Sequence, residues 1–236
     1  MTSPAVCLAV ACVVAPCAVC GADVEPFACS FKPGGWDSND WVLVKSARWE
    51  HFGGWVQRKD CIENETPAGV APEQLRTKKY APQTYTSMVL KQKVGGKRVD
   101  VYAGMAFTER MAPLIVIAPD LGEDAKGRPE YGEHWEIVLY DQGINVWHHK
   151  PKDGKLWWRK AAFARYTFKP NTRYELGVRI ERTRKGRMLS LSIDGELKLG
   201  YSDAALPDEF HVGITGCEGV NRFYDFSVGT RPKDVK

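Results

Sequence analysis

Apolar and polar side chains alternate with a period of two over much of this chain, most clearly between Arg173 and Asp203. There Tyr174, Leu176, Val178 and Ile180 take turns with Glu175, Gly177, Arg179 and Glu181. After a basic turn, Leu189, Leu191 and Ile193 repeat the rule, and an Asp194-Gly195 turn follows. This period buries one face of an antiparallel strand and leaves the other to water. Short runs of strand character recur at 41–44, 54–60, 84–94, 99–107, 114–118, 134–141, 144–150, 156–168, 173–182, 188–193, 209–215 and 221–228. No segment sustains a 3.6-residue period. Short strands punctuated by Gly, Pro, Asn and Asp predict an all-β fold, a two-sheet antiparallel β-sandwich of the jelly-roll kind. One buried face should hold Val99, Val101, Ala103, Met105 and Phe107, and another Phe210, Val212 and Ile214. The stretches 63–83 and 118–133 read as long irregular loops, a length that tends to accompany function or mobility.

The run from His134 to His149 carries the densest chemistry. If Gln142-Gly143 is a two-residue turn, Tyr140 faces Asn145, Val138 faces Trp147 and Glu136 faces His149, with His134 in phase. Ile137, Leu139, Ile144 and Val146 then share the opposite, apolar side. Trp147 offers a flat apolar platform, Glu136 and His149 exchange protons or hydrogen bonds, and Tyr140, Asn145 and His134 add polar contacts. Sugars present C–H faces that stack on aromatic rings and hydroxyls that need paired donors and acceptors, so this set suits carbohydrate. Trp157 and Trp158 fall on opposite sides of a strand, which places one in the core and leaves the other as a second stacking surface.

Whole-chain properties narrow the setting. A chain of 236 residues suits one large sandwich. Its first 22 residues carry no charged side chain, run apolar from Ala5 to Val19 and end in Cys20-Gly21-Ala22 before Asp23. They read as a signal peptide (1–22) ahead of a β-sandwich domain (23–229) and a tail (230–236), giving a secreted or periplasmic protein with no transmembrane segment once mature. Cleavage removes four of the seven cysteines and leaves Cys29, Cys61 and Cys217, of which two could pair in an oxidising compartment, although all three read rather as small buried apolar residues. The formal charge of +4 is mild, and its densest basic run, Arg182 to Arg187, falls in a hairpin turn. No nucleic-acid partner is expected.

The strand containing Tyr174-Glu175-Leu176, its charged turn and Leu189 to Gly195 resemble the carboxyl-terminal hairpin of concanavalin A-like jelly rolls. Trp41-Val42-Leu43, Gly54-Trp55-Val56 with Asp60, Tyr102 to Phe107, Trp135 to Asp141, Val212 to Gly219 and Arg222 to Phe226 together resemble the 3-keto-disaccharide hydrolase family. That group consists of exported, concanavalin A-like bacterial proteins linked to sugar degradation. Gly104, Phe107 and Glu136 match its motifs, whereas Val138 stands where it carries glutamine, and Cys217 and Glu218 where histidine is expected. The resemblance implies the fold and a link to sugars. Three readings follow: carbohydrate recognition, a hydrolase or lyase acting on keto-sugars or glycosides, and a non-catalytic envelope interaction protein. The acidic strand of laminarinase-type sandwiches is not reproduced, because Glu133 and Asp141 share one parity and Glu136 the other. His134, Glu136 and His149 are chemically suited to a metal but lack a tight ligand spacing, so no metal and no cofactor are expected. Calcium is the alternative, through Asp120, Glu123, Asp124 and Glu130.

Overall fold

The computed structural model describes residues 26–152 and 155–229. The predicted signal segment 1–22 and the tail 230–236 lie outside them. Two antiparallel sheets account for almost all strands. The first runs in spatial order β16 (Glu196–Asp203), β15 (Gly186–Ile193), β14 (Tyr174–Thr183), β7 (Arg98–Phe107), β18 (Asn221–Val228), β4 (Ile62–Asn64) and β3 (Trp55–Gln57), with β1 (Phe27–Ser30) also on β18. The second runs β13 (Lys155–Arg165), β12 (Gly143–Lys152), β11 (His134–Tyr140), β8 (Met111–Ala118), β17 (Glu209–Gly216), β5 (Thr86–Leu90) and β2 (Trp41–Leu43), with β6 (Val94–Gly95) also on β17. The two-sheet antiparallel sandwich expected from the alternation is the fold observed.

The core lies between the sheets and uses the residues that the period of two selects. Val99, Val101, Ala103, Met105 and Phe107 on β7 face Phe210, Val212 and Ile214 on β17 and the inward residues of β11 and β12, all of them fully buried. Burying each such large side chain contributes about 1.5–3 kcal/mol. The second sheet also carries a second apolar cluster, on its outer face, built from Val44, Tyr85, Val89, Leu114, Val116, Ala118, Tyr131 and Val138. Burial on both faces explains why Leu114 to Ala118 is an unbroken apolar run.

The covering layer comes from the segment after β2 and from a ribbon formed by β9 (Leu121–Glu123) and β10 (Pro129–Tyr131). That ribbon lies in the stretch expected to be irregular. It docks through Lys45, whose N–H donates to the Pro129 carbonyl and whose ammonium pairs with Glu130 at 2.6 Å. The strands β1, β4 and β16 were also not foreseen. In β4 all three residues are buried and two are polar, a pattern no alternation rule selects. Asn64 belongs there because its amide donates to the Thr84 and Gly219 carbonyls and accepts from the Asn221 N–H.

Its neighbour Glu63 accepts from Arg222 at 2.6 Å and Arg58 at 2.7 Å. Burial pushes this carboxyl up, but the two guanidinium groups outweigh it, and its pKa ends below the ordinary glutamate value. The ionised form is therefore the one the fold favours. Its contribution is complete above the unfolded value near 4.5 and is lost as pH falls through the lower folded value. Glu63→Gln should cost about 2 kcal/mol at pH 7. In urea unfolding the gap to wild type should hold down to about pH 5 and shrink below it; a gap that widens with acid would contradict the ion-pair account.

Candidate functional site

The site is a cleft of about 330 Å³ on the outer face of the second sheet, at the end left open by the covering layer. The turn that positions it is not the expected one. Tyr140 pairs with Gly143, Val138 with Asn145, Glu136 with Trp147 and His134 with His149, so the two-residue loop is Asp141-Gln142. The hairpin is shifted by two residues from the predicted register, a shift that preserves which side each residue faces. Two tertiary contacts set it. A Cβ at Gly143 would lie 2.2 Å from the Ala164 carbonyl oxygen on β13, so glycine must occupy the first paired position. Asp141 is held by the Arg110 guanidinium at 2.8 Å, and its backbone N–H donates to the Arg110 carbonyl.

With parity preserved, Glu136, Tyr140, Asn145, Trp147 and His149 line one cleft, and Ile137, Leu139, Ile144 and Val146 are buried beneath them. His134 lies in the same row but deeper, its ring stacked on His149 with centroids 4.5 Å apart. Glu136 and His149 are diagonal rather than directly opposite, yet Nε2 of His149 lies 3.1 Å from a Glu136 carboxylate oxygen. The other carboxylate oxygen is 3.7 Å from Nε2 of His134. Burial pushes the Glu136 carboxyl up, but the two imidazoles outweigh it and hold it well below the usual carboxylate range.

Several contributors come from distant loops. Arg48 stands over Trp49 at 4.6 Å and over Trp158 at 5.2 Å, a guanidinium shared between two indoles at the cleft mouth. Glu218, on the turn after β17, closes the opposite side with Cys217, Met111, Ala112 and Leu114. Burial pushes the Glu218 carboxyl up; Arg48 opposes this and Glu136 adds to it. The cleft thus holds two carboxylates driven in opposite directions. Trp158 is in the lining, but neither it nor Trp157 is core: they are 49% and 45% exposed. The expected burial of one fails because β13 is the last strand of its sheet. Bulges at Ala161 and opposite Leu139 flank the cleft and alter the strand direction there.

The three described cysteines are free; Cys61 and Cys217 are buried, as expected, whereas Cys29 is only partly so. Burial pushes the Cys29 thiol up to about 12 and Cys61 to about 11, so neither is a nucleophile near neutral pH. The carboxylates considered for calcium are mostly engaged with cations: Asp120 with Lys93 at 2.5 Å, Asp124 with Arg128 at 2.6 Å and Glu130 with Lys45.

No family model and no curated protein matches the chain. Solved structures do. The exoplasmic/lumenal domain of VIP36, in a form bound to Ca2+ and Man3GlcNAc, superimposes with a TM-score of 0.55 at 12% identity, over 88% of this chain and 90% of that one. Peanut lectin gives 0.54 at 11%, over 88% and 97%. The carbohydrate-binding module CBM66 from Bacillus subtilis gives 0.51 at 13%, over 78% and 92%. At such identities the likeness concerns architecture alone. The chain therefore has the lectin-like, concanavalin A-like jelly-roll fold.

Proposed function

We propose that this is an exported carbohydrate-recognition protein that holds a sugar in the cleft over Trp147 and Glu136. One observation carries the reading: a single cleft gathers two indoles, a carboxylate bonded to an imidazole, a guanidinium, an amide and a phenol. Flat apolar surface beside convergent donors and acceptors is what a sugar ring requires. The volume is at the lower end of ligand pockets, the scale of one or two rings. The lectins and the carbohydrate-binding module sharing the fold support the reading by analogy. The resemblance to 3-keto-disaccharide hydrolases directs attention to oxidised disaccharides. Glycan-array binding by the mature protein, with keto-sugars included, is the test; an empty array would remove the proposal.

A second reading, hydrolysis or elimination on a keto-sugar or glycoside, is favoured by the two carboxylates Glu136 and Glu218 in one cleft. Product analysis by mass spectrometry, with Glu218→Gln as control, separates it from simple binding. Export is expected to leave a mature amino terminus at or near Asp23. Intact-mass measurement of the exported protein checks this, and a retained Met1 would overturn it.

A further inference from the structure

His134, Glu136 and His149 each bring one ligand-type atom within 4.8 Å of the others, Glu136 and His149 in the cleft lining and His134 behind them. All three stand on paired strands rather than loops, two on β11 and one on β12. Sites on sheet strands are held more firmly than sites on loops. Among the described residues this is the one such grouping.

The hydrogen bonding leaves the group incomplete. Nδ1 of His134 lies 2.9 Å from the Gly132 carbonyl, to which it can only donate. In the neutral ring Nε2 is then an acceptor, and it faces a carboxylate oxygen, another acceptor, at 3.7 Å. Two acceptors this close repel, and a cation between them, either a proton or a metal ion, removes that repulsion. The donation to a backbone carbonyl is also the outer contact that orients metal-bound histidines and sharpens their basicity. Tyr131 packs on the same ring with centroids 4.8 Å apart and holds it in place. The imidazoles are 2% exposed and the carboxylate 13%, so protein encloses the group on one side while Glu136 and His149 open to the cleft.

We propose that His134, Glu136 and His149 bind one divalent transition ion of the zinc or manganese class, with its free coordination positions turned toward Trp147. Two imidazoles and a carboxylate form a donor set suited to such ions, and three protein ligands leave room for others. The group must contract by about 1 Å to reach bond lengths near 2.1 Å. The open positions suit two adjacent oxygens of a sugar, a diol or a hydroxy-ketone. That last clause rests on the carbohydrate reading; the ion site does not.

The test uses the mature chain stripped with a chelator, then equilibrated separately with Zn2+, Mn2+ and Co2+ and counted by mass spectrometry after gel filtration. One ion per chain is expected for at least one metal, falling at least 100-fold in affinity in Glu136→Gln and His149→Ala. Less than a tenth of an ion per chain for all three metals overturns the site, and so does uptake unchanged in both variants. Should the variants fail to fold, Mn2+ added to wild type should broaden the ring signals of His134 and His149 in NMR spectra; broadening confined elsewhere overturns the proposal equally. Sugar binding undiminished by the chelator would overturn the shared-ligand clause. An ion bound without any sugar would leave the site standing and remove the carbohydrate reading.

Discussion

Gly143→Val should lower stability by about 4 kcal/mol, the sum of backbone strain and overpacking at a site with no room. The added Cβ would lie 2.2 Å from the Ala164 carbonyl oxygen and 2.6 Å from the Phe163 ring, and φ at this residue is +155°. A carbonyl within a sheet ladder cannot swing aside as a side-chain tip can. For a domain of this size the melting temperature should fall by about 10 °C. Gly200→Ala is the control, since nothing lies within 4 Å of its added Cβ, and it should melt near wild type. A Gly143→Val protein within two degrees of wild type would mean that the hairpin does not have the register on which the cleft depends.

How much of this was legible follows from what each signal measures. Alternation measures which face a side chain takes, and it selected both the core and the outer row from Glu136 to His149. That row survived a wrong register because the slip was of two residues, a whole period. The register itself is decided by Ala164 and Arg110, which the turn rule does not include. Arg48, Tyr131 and Glu218 reach the site only through the covering layer and the turn after β17; nothing in the local sequence marks Arg48 or Tyr131, and Glu218 stands out only as a departure from the family motif. The three metal-type residues are suited by kind, but the spacing that unites them comes from strand pairing, His134 opposite His149, and not from the chain.

The largest effect on binding is expected at Trp147. This indole is half-buried on the cleft wall, opposite Glu136 and beside Lys160, whose ammonium lies 5.9 Å from its ring. Trp147→Ala removes the stacking surface while leaving the hairpin hydrogen bonds in place, and should weaken affinity for the best glycan about 30-fold, some 2 kcal/mol. Trp158→Ala should act in the same direction but less, because its ring is already half in water and shared with Arg48. Trp157 stands outside the cleft lining, one residue along β13 and on its other side, so Trp157→Ala should bind as wild type. Calorimetric titration of the three variants decides the matter. Equal losses at Trp147 and Trp157 would place recognition elsewhere on the protein.

Strand β11 sends its residues alternately to two faces with different tasks. Ile137 and Leu139 are sealed between the sheets, while Glu136 and Tyr140 face the cleft. In a mutational scan this strand should give a two-beat phenotype. Changes at Ile137 and Leu139 would reduce the amount of protein made, and changes at Glu136 and Tyr140 would leave more of it folded but abolish its use. A homologue under relaxed selection for ligand would drift at Glu136 and Tyr140 while Ile137 and Leu139 stay fixed, so the decay of function could be read along a single strand.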